Sequence, residues 1–447
     1  MSVFQALCQR STHQKVLSIA IPMVLSNITV PLFGLVDAAV IGHLDHAWYL
    51  GGVALGSTMI SMVFWLLGFL RMSTTGLTAQ SYGANDKNAL AFVLMQGLCM
   101  ALGFAVIFLL LHAWIAEWVF SFSSASAEVK QYGQQYFTIR AWSAPAALAN
   151  FVLLGWLLGT QNARAPMWMV LITNIVNIIF DLLFVFVLDW NVKGAALASV
   201  MADYSGMAFA LVCVWRTWRS ADLPSPRRLL GRTLQGIGRF VRLNRDIFLR
   251  SLCLQAVFSF MTFQGASFGD EIVAANAVLM SFMMIISYGM DGFAYAMEAQ
   301  VGKAVGAHDR RDLNTSIIGS TFWGVVICSG LTITFWAGGS SLINMITTLP
   351  NVHQQALNYW AWLVAMPLVS MWCFLLDGIF VGATKGREMR NGMFIATGCF
   401  FALFFLCATW GNHALWLAML SFMAVRGITL ALILASQWRR GTFLPHS

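Results

Sequence analysis

Residues 15–44 read KVLSIAIPMVLSNITVPLFGLVDAAVIGHL, and the reading of this stretch decides the fold. Beyond Lys15 at its edge and the neutral His43, the only ionisable side chain is Asp37. The run is long enough to cross a bilayer, which takes about 20 mostly apolar residues. An ionisable group at bilayer depth costs about 2.5–3.5 kcal/mol on insertion scales, so it faces a bundle interior or a wet cavity and marks a pathway for ions or protons. Pro22 and Pro31 lie in the same run. Each lacks a backbone N–H, so the helix can bend where a preceding carbonyl loses its partner. A titratable group on a bendable helix suggests a coupling device.

The pattern recurs along the chain. Of 447 residues, 59% are hydrophobic and 10% charged, against about 25% charged in an ordinary soluble domain. Twelve apolar spans are expected, at 15–44, 51–80, 89–121, 131–159, 166–188, 193–217, 246–268, 272–305, 313–345, 354–384, 390–409 and 413–437. The first is too long for a signal-peptide core and should remain as a spanning helix. Several exceed the hydrocarbon thickness, which implies tilt or protrusion. The net charge of +8 does not point to nucleic acid, because the basic residues sit in short connections between spans. Lys87, Arg164, Arg216 to Arg245, Lys303, Arg310, Arg311, Lys385, Arg387, Arg390, Arg439 and Arg440 all fall on one side, while Asp45, Glu128, Asp189, Asp270 and Glu271 fall on the other. The positive-inside rule then places both termini in the cytoplasm. Seven of the eight cysteines lie within spans without paired spacing, so they are expected as buried free thiols; Cys8 is expected as a free cytoplasmic thiol.

A polar segment from Trp215 to Asp246 divides the chain. The expected domains are an amino lobe at 1–217, a basic cytoplasmic linker at 218–245 and a carboxy lobe at 246–447. An internal repeat supports the two halves: residues 51–86 align without gaps to 274–309 at an offset of 223, pairing Ala54 with Ala277, Gly83 with Gly306 and Asp86 with Asp309. Six spans per half is an even number, so the repeats are parallel, related by an axis along the membrane normal. In TNIVNIIFDLLFVF, Asn174, Asn177 and Asp181 are three and four residues apart and share one helix face. Such a stripe in an apolar helix must meet partners or water.

The GAND and GAHD turns, the GAALAS run, and the segments SNITVPLFGLVDAAVIGHL, FLRMSTTGLTAQ, WSAPAALANFVLLGWLLG, LNRDIFLRSL, DGFAYAMEA and LLDGIFVGAT resemble the DinF branch of the MATE (multidrug and toxic compound extrusion) transporters. The resemblance implies an all-α integral membrane protein with twelve transmembrane helices in two pseudo-symmetric six-helix lobes. It implies a non-enzymatic multidrug efflux antiporter of the bacterial inner membrane, exporting hydrophobic, mostly cationic organic compounds in exchange for protons. It further assigns proton or cation coupling to Asp37, Asn177, Asp181 and Ser199, with Pro22, Tyr136 and Asn174 in support. Two nearby carboxylates resist ionising together. Protonation of the Asp37–Asp181 pair would therefore change the bonds to Asn177 and Ser199, rearrange the first span and displace the drug.

In the other half the repeat equivalents of Asp37 and Asp181 are Phe260 and Phe404, and the intramembrane charges Asp291, Asp377 and Arg426 are read as structural pairing. No cofactor is implied beyond the ion gradient, and no firm metal site. Sodium remains open, since Asp37, Asn177, Asp181 and Ser199 offer the oxygen ligands a hard cation takes. The expected partners are organic cations and membrane lipids, and a monomer suffices. A lipid-precursor flippase of the same superfamily is the competing reading, although it would line its cavity with cations. No phosphate-binding Gly-x-x-x-x-Gly-Lys-Ser/Thr loop is present for direct ATP coupling.

Overall fold

In hydrocarbon a backbone must satisfy its own N–H and C=O groups, which leaves long apolar runs one solution, the helix. The computed structural model describes residues 7–42, 46–121, 125–226, 229, 231, 233 and 236–444, with the backbone alone at 32–39, 41–42 and 47, and these residues form helices and no strand. In order they are α1 (Arg10–Gly42), α2 (Ala47–Leu66), α3 (Phe69–Gly83), α4 (Lys87–Ser121), α5 (Ala127–Ala141), α6 (Ala144–Gly159), α7 (Arg164–Asp181) and α8 (Asn191–Ser220). There follow α9 (Ile237–Ala266), α10 (Asp270–Gly306), α11 (Arg310–Ile346), α12 (Pro350–Gly382), α13 (Gly386–Leu406) and α14 (Asn412–Arg439).

Among the described residues, ten helical stretches are long and apolar enough to cross a membrane, with α2 and α3 counted together, and α5 with α6 makes an eleventh, bent by 54°. The first of the twelve expected spans lies on α1, whose side chains at 32–39 are outside the described residues. Large apolar side chains such as Trp114, Trp336, Leu406 and Leu432 point outward, as a lipid-facing surface requires. The cysteines follow the same logic and correct the expectation of burial. All eight are free thiols, but of the seven within spans only Cys328 and Cys373 are buried and Cys99 is exposed, because an apolar span has a lipid face as well as a core face.

The helices gather into two compact units: Leu25–Phe240, the amino unit, and Met1–Val24 with Val241–Ser447, the carboxy unit. Helix α1 contributes to both. Its buried stripe Thr12, Val16, Ile19, Ala20 and Met23 has helical spacing. In the carboxy unit, a methyl group on Gly319 would meet Thr12 and one on Gly292 would meet Val24. Lys15 pairs with Asp312 at 2.7 Å, and the Trp323 indole donates to His13 Nδ1 at 3.1 Å.

Within each unit the same construction recurs at the offset of 223. The bounds of α5–α6 (127 to 159) map onto α12 (350 to 382) and those of α2–α3 (47 to 83) onto α10 (270 to 306). The left-handed residues that end these pieces correspond too: Asn85 with His308, both at φ 54°, and Gln161 (φ 67°) with Thr384 (φ 54°). Asp86 caps α4 by accepting from the Ala89 amide, and Asp309 caps α11 by accepting from those of Arg311 and Asp312. A pair of tight helix crossings also matches. A Cβ on Gly155 would stand 2.6 Å from the Arg71 carbonyl, and one on Gly378 2.8 Å from that of Ala294. Small residues permit such backbone approach, which is how helices associate without a hydrophobic driving force.

The two units differ in continuity. In the amino unit the α5–α6 helix breaks at Trp142–Ser143, just before Pro145, whose missing N–H leaves a carbonyl without its helical partner. In the carboxy unit α12 runs unbroken through Pro367. Replacing Gly155 or Gly378 with Val should push its crossing apart and destabilise the chain by about 1–3 kcal/mol. Thermal unfolding in detergent would show this, with Gly103→Ala, which meets nothing within 4 Å, leaving the melting temperature unchanged or slightly raised.

Candidate functional site

The polar stripe of α7 ends where regular helix ends. Asp181 is its last residue, followed by a π-helical turn at Leu182–Val187, a rare geometry that tends to occur at functional sites. The carboxyl is buried, with 2% of the residue exposed. The Asn177 amide, one turn earlier, donates to Asp181 Oδ2 at 2.9 Å and reaches Ser199 Oγ on α8 at 3.5 Å. Asn177, Asp181 and Ser199 therefore form one cluster across the α7–α8 interface. Its donor set is a carboxylate, an amide and a hydroxyl, which can hold a proton or offer oxygens to a hard cation.

The other expected residues go elsewhere. Asn174 donates to Thr29 Oγ1 on α1 at 3.4 Å, tying α7 to α1 rather than joining the cluster. Asp37 lies on the α1 helix with its side chain outside the described residues. Pro22 sits inside α1, half-buried, in the carboxy unit. Tyr136 is buried on α5 beside the Arg140 guanidinium.

Arg140 marks a second polar group that the sequence left unplaced. It pairs with Asp203 at 2.6 Å and also bonds Ser143 at the α5–α6 break, while the Asn150 amide donates to the Asp203 carbonyl at 3.0 Å. Both charged side chains are about 15% exposed. Asp203 lies one turn beyond Ser199 on α8, so the two polar groups adjoin, but Asp203 is neutralised by its own cation.

In the carboxy unit Asp377 is clamped by two guanidiniums, Arg426 on α14 and Arg250 on α9, all three buried. Arg426 pairs with Asp377 as the structural reading expected, and the structure adds Arg250 as a second partner. Arg250 was missed: it lies near the polar end of its span, where Arg245 and Asp246 make a charged residue look interfacial. Asp291 on α10 is close enough for its charge to act on Arg426. Two cations and two acids thus balance here. Removing one partner of a buried pair costs about 3–5 kcal/mol, so Asp377→Asn should lower the melting temperature and the yield of folded protein on size exclusion.

A family model described as MatE matches residues 22–183 and 247–409. The chain is 45% identical over 435 residues to the DNA damage-inducible protein F of Escherichia coli (strain K12), covering 97% of this chain and 94% of that one. It is 22% identical over 311 residues to a probable multidrug resistance protein NorM of Halalkalibacterium halodurans, covering 68% of each. A crystal structure of MATE in the bent conformation superposes with a TM-score of 0.85 at 17% identity, over 99% of this chain and 98% of that one. The chain is a multi-pass membrane protein and belongs to the MATE family of multidrug and toxin extrusion transporters.

Proposed function

We propose that this transporter exports organic, mostly cationic compounds in exchange for protons, and that Asp181, together with Asp37, is where the proton acts. The observation that carries the reading is the buried Asp181 carboxylate at the α-to-π junction, held by the neutral Asn177 amide. Two other buried acids, Asp246 and Asp377, and the half-buried Asp203 are each bound by arginine. A carboxylate bound to arginine gains little from protonation at neutral pH, whereas one held by neutral groups in a low-dielectric site gains a great deal. Register supports the pairing with Asp37. Thr29 on α1 meets Asn174 on α7, and both helices cross in the same direction as odd-numbered spans. Position 37 lies eight residues beyond Thr29 and position 181 seven beyond Asn174, so both stand about 11–12 Å further along, at one level.

Protonation at that level removes the acceptor charge that the Asn177 amide serves, and with it the link to Ser199. The α1–α7 tie through Thr29 then transmits the change to α1, whose Pro22 and Pro31 permit it to bend. Drug leaves as α1 closes on the amino unit.

Sodium coupling is the second reading, favoured by the oxygens of Asp181, Asn177 and Ser199 in one cluster. Proteoliposomes loaded with a fluorescent organic cation decide between them under imposed proton and sodium gradients. Proton-driven efflux should fall at least tenfold in Asp181→Asn and in Asp37→Asn. If Asp181→Asn retains the wild-type rate and pH dependence, the reading is wrong; if sodium alone drives the wild type, the same residues are ion ligands. Geometry also ranks the neighbours. Asn177→Ala, which removes a 2.9 Å bond to the carboxylate, should slow efflux more than Ser199→Ala, whose hydroxyl is 3.5 Å away.

A further inference from the structure

The carboxy unit holds a cavity that the efflux reading does not use. It has a volume of about 480 Å³ and lies between α11, α12 and α14, walled by Ile317, Ile318, Leu375, Ile379 and Leu434. The lining is sorted along its length. Ala431 and Trp372 line it toward the middle of their helices, whereas Asn314, Trp438 and Arg439 line it where α11 begins and α14 ends. From Ala431 to Arg439 the helix rises about 12 Å. Arg310 adds a second cation at the polar end, its guanidinium lying over the Trp438 ring at 5.5 Å from the centroid.

These two arginines are exposed, and among the described residues neither has a carboxylate within ion-pair distance. The nearby acids are engaged elsewhere. Asp312 pairs with Lys15, Asp309 caps α11, and Glu388 accepts from Gln437, whose own amide oxygen takes the Lys385 ammonium. Two uncompensated cations beside a largely apolar slot are complementary to one class of molecule. Any lipid tail can cover an apolar face, but the cations discriminate by headgroup.

We propose that this cavity is a binding site for an anionic phospholipid, with one acyl chain between α11, α12 and α14 and the phosphate held by Arg310 and Arg439. The positive-inside rule puts this basic end at the cytoplasmic leaflet, whose surface is negative. Trp438 fits the junction, its ring against hydrocarbon and its edge at headgroup level. The bound lipid would brace the end of α14 against the start of α11.

The test is native mass spectrometry of the delipidated full-length chain, titrated with phosphatidylglycerol or phosphatidylcholine of the same acyl chains. One phosphatidylglycerol should bind at least tenfold more tightly than phosphatidylcholine. A surface cation contributes about fivefold to anionic-lipid binding, so Arg310→Gln with Arg439→Gln should weaken phosphatidylglycerol roughly 25-fold and leave phosphatidylcholine unchanged. Ala431→Trp fills the slot from α14 about two turns away from Arg439 and should displace the same lipid. Melting curves without added lipid verify that each variant is folded, and either single arginine variant, expected at about fivefold, serves if the double one is not. Equal binding of the two lipids overturns the proposal, as does undiminished phosphatidylglycerol binding in the arginine variants. Retention by Ala431→Trp overturns it too, since the headgroup would then be held without the cavity.

Discussion

Hydrocarbon offers a buried charge nothing in the way of solvation, so each charge at bilayer depth must be answered from within the protein. The chain answers in two ways. In the carboxy unit Asp377 sits between Arg250 and Arg426, with Asp291 near enough to balance the second cation. In the amino unit Arg140 and Asp203 neutralise one another at the α5–α6 break. Both are closed accounts of charge and act as fasteners between helices. The Asp181 cluster differs in kind, because a neutral amide, itself in reach of the Ser199 hydroxyl, donates to its carboxylate. The same constraint that makes the first two rigid leaves the third responsive.

Backbone irregularity follows the same division. The amino unit breaks α2 from α3 and α5 from α6, and it ends α7 in a π-helical turn directly after Asp181. The equivalent stretches α10 and α12 in the carboxy unit run unbroken. Broken helices free backbone groups and permit rearrangement at membrane depth only where protein or a cavity surrounds them. One repeat unit is thus built for continuity and the other for local change, on a shared plan of helix lengths and crossings.

Much of this was legible in the sequence. The apolar runs gave the helices, and the offset of 223 read from a few identities recurs in helix bounds, in the left-handed caps at Asn85 and His308, and in the crossings at Gly155 and Gly378. The spacing of Asn177 and Asp181 matched a contact between them, whereas Ser199 came only from family resemblance, since a lone serine in GAALAS carries no pattern. Asn174 shows the limit of face arguments: it shares the stripe yet bonds Thr29, because a partner on another helix is invisible to periodicity. The same reason hid Arg250 from Asp377 and Arg140 from Asp203, pairs separated by 127 and 63 residues. Cysteine burial failed because hydropathy does not distinguish core from lipid when both are apolar.

The division of α1 bears on how the chain could be cut. Its first four turns bury Thr12, Val16, Ile19, Ala20 and Met23 in the carboxy unit, against positions such as Gly292 and Gly319, while Leu25 onward belongs to the amino unit. A polypeptide severed in the basic segment near residue 230 would yield a carboxy fragment lacking a strip of its own core and an amino fragment bearing that strip as an unsheltered apolar arm. The two pieces would need each other to fold, as in a split reporter whose halves share one helix. Autonomous halves would instead require duplicating residues 10–24 at the head of the second fragment, a graft that the helical spacing of that stripe makes straightforward to design.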